Sequence, residues 1–314
     1  MYNYPVPPAT LLGLIGNTPL VELPRLAPKP GIRLFAKLEG QNPSGSVKDR
    51  IVLAMIEAAE QRGELKPGDT IVEASSGNTA IALAMMGKQK GYGVQVVIPR
   101  GVTPSVADIL GLCGAEVTWC EPRAGLKGAI DLALNMAATR GYYPLQQFAS
   151  QVNVEVHYHT TGKEIAEALP EVDLFVAGVG TGGTIMGVGR RLRESSPNVQ
   201  VIGVEPALGE RLQGLRSLAE GFVPPLLDLQ QLDGRFLVDS ASAIAAARSV
   251  AQAEGLLAGV SSGATLHAAL RLAQRMDKGN IVVMFSDGGW KYLPAKPWDA
   301  AKEGSRTLDE VHWW

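Results

Sequence analysis

The sequence predicts an α/β protein of two doubly wound open-sheet lobes, and three observations lead to it. Short β-rich runs alternate with helix-period segments along most of the chain, the mark of repeated strand–helix–strand units. The strand-like runs are apolar throughout rather than at alternate positions, so each sheet must be covered on both faces. A chain of 314 residues is also long for a single hydrophobic core, which favours two.

The predicted strands, in order, are Leu34–Leu38, Thr70–Glu73, Val94–Ile98, Glu116–Trp119, Leu174–Ala177, Val201–Val204 and Ile281–Phe285. Between them, Ile51, Ala54, Met55 and Ala58 recur at helical spacing, as do Leu266, Ala269, Leu270 and Ala273. The segment Pro144–Asn153 follows neither period and lies near mid-chain. It divides an expected N-terminal lobe, residues 1–150, from a C-terminal lobe, residues 151–314. In folds of this kind ligands bind in the crevice beyond the carboxyl ends of the strands.

Composition narrows the partners. No run approaches the roughly 20 apolar residues of a membrane helix, and the N-terminus has no basic region followed by an apolar core. A net charge of −2 without a basic block argues against nucleic acid. Cys113 and Cys120 have neither metal-site nor redox spacing, which fits packing residues in a reducing cytoplasm.

Four polar turns fall in the expected crevice. The first, Asn42–Arg50, carries Lys48 at the start of a helix that Ser44 or Ser46 can cap. A lysine there opposes the helix dipole, and the positive end depresses its pKa, which suits a nucleophile or base. A capped surface helix with a solvated lysine is the plain alternative. The second turn, Ser75-Ser76-Gly77-Asn78-Thr79, offers hydroxyls, an amide and free N–H groups at a helix start, where a carboxylate fits. Ordinary capping would need only one of these residues.

The third turn, Gly178–Thr184, follows the strand Leu174–Ala177 and supplies glycines and threonine hydroxyls for a phosphate. It also satisfies G-x-G-x-x-G with Glu205 beyond it, so a nicotinamide dehydrogenase remains an alternative at this point. The fourth turn, Gly259–Ala264, reads by itself as a Ser261 or Ser262 helix cap. Asp287–Trp290 closes the last strand.

Together these segments resemble the fold-type II pyridoxal-phosphate enzymes, the tryptophan synthase β-like fold, and within them the cysteine synthase/cystathionine β-synthase family. GNTPL, KLEGQNPSGSVKDR, SSGNT, GVGTGGT and GVSSGA occur in that order over nearly the whole chain. His157–Gly162 and Glu220–Pro224 match the B type of cysteine synthase. The resemblance implies a homodimer, with residues of about 1–40 packing on the C-terminal lobe. It implies pyridoxal 5′-phosphate held on Lys48 as a Schiff base, with Lys48 the later proton shuttle. Asn78 would meet the cofactor 3′-oxygen, Gly180, Thr181, Gly182, Gly183 and Thr184 its phosphate, and Ser261 its pyridine nitrogen. Ser75, Ser76, Gly77 and Thr79, helped by Gln147, would grip the substrate carboxylate. The implied reaction is β-replacement: an activated serine loses its leaving group, and a sulfur donor adds to the resulting aminoacrylate to give L-cysteine.

Arg216 matches an arginine that in some relatives receives a phosphate leaving group, so O-phospho-L-serine stands beside O-acetyl-L-serine as donor. The sulfur source stays open among sulfide, thiosulfate and the thiocarboxylate of a sulfur-carrier protein. Cystathionine β-synthase and serine or threonine dehydratase activities are the sister readings, and a catalytically silent partner protein is a further one. Ser75 and Ala80 stand where the family has threonine and glycine, and Ala80 is expected to narrow the approach to the turn. His157 and His159 would share a side if extended, but no third ligand lies nearby to complete a zinc site. Lys291 carries no assigned role, and the Trp313-Trp314 end is expected to be disordered, the default for a chain end, with docking on the partner subunit or the active-site mouth as the alternative.

Overall fold

The apolar runs assemble into two sheets in the computed structural model, which describes residues 10–99, 104–121, 125–210 and 212–295. One has six strands in the order β1-β2-β10-β7-β8-β9. These are β1 (Leu20–Glu22), β2 (Ile32–Leu38), β7 (Leu174–Gly178), β8 (Gln200–Pro206), β9 (Gly234–Val238) and β10 (Gly279–Phe285). Only β1 runs antiparallel to its neighbour. The second sheet is parallel, in the order β5-β4-β3-β6, from β3 (Thr70–Ala74), β4 (Gly93–Pro99), β5 (Glu116–Cys120) and β6 (Tyr143–Pro144). All seven predicted strands lie inside observed ones. The three not foreseen are β1, β6 and β9, which lie at sheet edges and are short or start on glycine.

Alternate side chains of the large sheet enter different cores, which is why its strands read as apolar throughout. Leu34, Ala36, Val176, Ile281 and Val283 pack with residues of helices α8 (Ser240–Glu254) and α9 (Val260–Ala273). Phe35, Phe175, Ala177, Val282 and Met284 face the other way, against Ile185, Val188 and Leu192 of α7 (Gly183–Ser195). Each fully buried Val, Leu, Ile, Phe or Met side chain among these contributes about 1.5–3 kcal/mol relative to exposure. Close approach of α8 and α9 depends on Gly263, where a Cβ would stand 2.1 Å from the Ala243 carbonyl oxygen.

The four-stranded sheet is covered in the same way. Ile71, Val94, Val96 and Ile98 meet residues of α1 (Lys48–Gln61), α2 (Asn78–Gln89) and α3 (Pro104–Leu112). Val72, Ala74 and Val97 meet Ala129, Ala133 and Met136 of α4 (Gly125–Arg140). After β6, α5 (Val152–Val156) runs through a π-helical turn, His157–Gly162, into α6 (Lys163–Ala168). The turn buries His157 and leaves His159 exposed beside Glu155, so the two histidines do not share a side.

A buried ionic cluster ties the N-terminal segment to this frame. Arg50 on α1 pairs with Glu39 at 2.7 Å and Glu164 on α6 at 2.7 Å, and Lys37 of β2 pairs with Glu164 at 2.6 Å. The Thr18 hydroxyl donates to Glu39 at 2.6 Å. The motif residues Thr18, Lys37, Glu39 and Arg50 are thereby explained by structure. The Trp313-Trp314 end lies outside the described residues.

Candidate active site

The carboxyl ends of both sheets open on one cleft of about 730 Å³, lined by Lys48, Ser75–Thr79, Gln147, Gly180, Thr181 and Arg216 among others. It adjoins a chamber of about 480 Å³ that shares Lys48, Asn78, Gly180 and Thr181 and adds Gly182, Thr184 and Ser261. Of the residues expected to bind cofactor or substrate, Gly183 alone lines neither space; it opens helix α7 behind the loop.

Lys48 is the first residue of α1. No side chain caps this helix, although Ser46 Oγ accepts the Lys48 N–H at 3.3 Å. Ser44 turns instead to Asp49, donating its N–H at 2.7 Å and its hydroxyl in a short bond. Burial is the main cause that lowers the Lys48 amine to about 8, and the Asp287 carboxylate works against it. Burial pushes the Asp49 carboxyl up to about 6.

The turn Ser75–Thr79 leads from β3 into α2, whose N-cap is Gly77 with no side-chain cap bond. Its polar groups are therefore not consumed in capping the helix. The Thr79 hydroxyl donates to Gln147 Oε1 at 2.7 Å, while Gln147 Nε2 donates to the Ala74 carbonyl at 3.3 Å. The Gln147 N–H donates to Glu73 at 3.2 Å. Burial pushes the Glu73 carboxyl up to about 7. Glu73 is thus a support behind the turn, and its one sequence signal is an acid in an apolar strand. Ala80 is packed in the core beneath α2 and does not narrow the cleft, contrary to the expectation from sequence.

The loop Gly180–Thr184 bends at Gly182, whose φ of +89° is left-handed. Thr181 Oγ1 accepts from Asn153 Nδ2 at 3.0 Å and from the Gly183 N–H at 3.3 Å. Thr184 Oγ1 lies 3.1 Å from His157 Nε2, and His157 Nδ1 lies 2.9 Å from Thr161 Oγ1. Burial, with the charges of Arg50 and Lys48, holds His157 well below its ordinary pKa and so neutral. A neutral ring with its proton on Nε2 donates to Thr184 and accepts from Thr161. In that tautomer the hydroxyls of Thr181 and Thr184 keep their protons for an anion in the loop.

Ser261 is buried in the first turn of α9, whose N-cap is Gly259, so it faces the chamber rather than capping the helix. Arg216 donates its backbone N–H to the Val179 carbonyl at 2.8 Å. Its guanidinium lies 6.0 Å from the Phe148 ring centroid and, among the described residues, has no carboxylate within ion-pair range. Burial weighs against its charge.

This donor set fits pyridoxal phosphate. It offers an amine that is partly neutral near pH 8, a loop of N–H and hydroxyl donors at the start of α7 for the phosphate, and a neutral hydroxyl at Ser261. Among the described residues no group of His, Cys, Asp and Glu could hold a metal ion. No helix among them is long and apolar enough to cross a membrane.

Comparison with known proteins agrees. The family of pyridoxal-phosphate dependent enzymes matches residues 11–287. A cysteine synthase of Staphylococcus aureus is 41% identical over 290 residues, covering 89% of this chain and 94% of that one. A cysteine synthase B of Pseudomonas aeruginosa is 40% identical over 291 residues, covering 92% and 97%. The crystal structure of an O-ureido-L-serine synthase superposes with a TM-score of 0.89 at 36% identity, covering 96% of this chain and 98% of that one.

Proposed function

Because the chain belongs to the family of pyridoxal-phosphate dependent enzymes, we propose that it is a cysteine synthase, replacing the β-substituent of an activated L-serine with sulfur. One observation supports this most: a lysine with a depressed pKa, a carboxylate-sized polar turn and a phosphate-sized donor loop converge on one cleft. When bound, pyridoxal phosphate supplies an electron sink for charge developing at the substrate α-carbon.

The residues divide the remaining work. Lys48 Nζ would hold the cofactor and, with its depressed pKa, would serve as the base that takes the substrate's α-proton. Ser75, Ser76, Gly77 and Thr79, with Gln147 behind them, hold the α-carboxylate and so orient the α-hydrogen toward Lys48. The donors of Gly180–Thr184 would hold the phosphate. Ser261 would offer the ring nitrogen a neutral hydroxyl rather than a carboxylate, which would weaken the sink and favour prompt loss of the β-substituent over transamination. Dehydration of serine or threonine and cystathionine synthesis share these groups and differ in what attacks next.

Arg216 favours an anionic leaving group. A half-buried guanidinium at the wall of the cleft with, among the described residues, no carboxylate within ion-pair range is suited to a departing phosphate, so O-phospho-L-serine stands as a donor beside O-acetyl-L-serine. The test is direct. Purified protein should show a visible absorption band near neutral pH that Lys48→Ala lacks, and should form cysteine from O-phospho- or O-acetyl-L-serine with sulfide. Colourless protein that binds a nicotinamide instead would sink this reading. Homodimer formation and a sulfur-carrier partner belong to the same proposal and are read by sedimentation and by thiocarboxylate transfer.

A further inference from the structure

We propose that Lys291 and Asp287 are positioning residues that fix the carboxamide of Asn78 with an N–H directed at the cofactor's 3′-oxygen; this rests on the cofactor assignment above. Lys291 sits in the short 3₁₀ turn Gly289–Ala295 that follows β10. Its side chain is only 16% exposed, and its Nζ donates to Asn78 Oδ1 in a short hydrogen bond while standing 3.5 Å from Asp287 Oδ2. Asp287 Oδ2 accepts from Asn78 Nδ2 at 2.9 Å and from the Tyr292 hydroxyl at 2.6 Å.

An ammonium offers only donors and a carboxylate only acceptors. The amide therefore has one orientation that satisfies both, with its oxygen on Lys291 and its nitrogen on Asp287. A flip would set N–H groups against the ammonium and an oxygen against the carboxylate. One Nδ2 hydrogen goes to Asp287, so the other is what Asn78 has to offer in the chamber it lines. Asn78 is thereby committed to an acceptor, such as the phenolic oxygen of the cofactor ring.

Two features speak against a role in stability alone. Lys291 places a positive charge at the start of α2, the positive end of the helix dipole. Asp287 Oδ1 is buried without a hydrogen-bond partner among the described residues, an arrangement that costs free energy. The clamp also spans the two sheets, since Asn78 begins α2 above the four-stranded sheet while Asp287 and Lys291 follow β10 of the six-stranded one.

The test compares apoprotein affinity for pyridoxal phosphate and for 3-deoxypyridoxal phosphate, which lacks the ring oxygen. Wild-type protein should prefer the natural cofactor by roughly tenfold or more, the worth of one charge-assisted hydrogen bond. Lys291→Met should lose most of that preference while binding the deoxy compound as before, and Lys291→Arg should restore it. Lys291→Leu, which also lacks a donor, serves in the same way if the methionine variant does not fold. A variant that keeps the wild-type preference, or weakens both ligands equally, overturns the proposal. Wild-type apoprotein that binds neither compound overturns the cofactor assignment itself.

Discussion

Lys48 in a buried site predicts a pH profile that an ordinary lysine cannot give. With the amine lowered from 10.5 to about 8, its neutral fraction at pH 7 is roughly 0.1 instead of roughly 0.0003, a gain of about 300-fold in the reactive form. Mixing apoprotein with pyridoxal phosphate and following the visible band should therefore give a capture rate that rises with pH and levels off above a midpoint near 8. Asp287→Asn removes the charge that opposes the shift, so its midpoint should fall lower still. The same shift has a stability consequence. Between about 8 and 10.5 the unfolded chain holds a proton that the folded apoprotein has released, so stability rises with pH across that window. Below it, folding keeps a buried ammonium at a cost of at most roughly 3 kcal/mol, and Lys48→Met apoprotein should gain up to that amount in urea unfolding at pH 7. A capture rate that climbs tenfold per pH unit through pH 9.5 without levelling would refute the reasoning.

Arg216→Ala should lower kcat/KM for O-phospho-L-serine by roughly 10- to 100-fold, the loss of a charge-assisted contact, while O-acetyl-L-serine changes little. Equal losses with both donors would remove the phosphate role. Arg50→Met leaves Glu39 and Glu164 without their shared partner in a buried setting, and should destabilise the protein by about 3–5 kcal/mol in denaturant titration. A change within experimental error would show that water replaces the guanidinium.

What could be read from the sequence followed from local chemistry. Strands such as Val94–Ile98 and Ile281–Phe285 are legible because burial on both faces demands an unbroken apolar run. Edge strands escape this rule: β9 alternates between exposed and inward residues over a run that opens on Gly234. The cleft turns stand out because glycines and clustered hydroxyls after a strand have few other uses. Their supports do not. Glu73, Asn153, His157 and Lys291 act through neighbours remote in sequence, and only folding brings Lys291 to Asn78 or His157 to Thr184. The π-helical turn that aims His157 inward has no sequence period of its own.

The order of strands in the large sheet bears on how the chain is made. Leu34 of β2 pairs with Ile281 of β10, so an early strand finds its main neighbour only after all the intervening chain has been made. At ~5–20 residues per second, a nascent chain holds that apolar edge open for on the order of ten to fifty seconds. The four-stranded sheet, whose strands lie between residues 70 and 144, is complete long before. Synthesis therefore delivers the half that carries the Ser75–Thr79 turn first, and the half that carries the Gly180–Thr184 loop closes late around a strand kept waiting. During that interval the nascent protein is most exposed to aggregation and most in need of a chaperone.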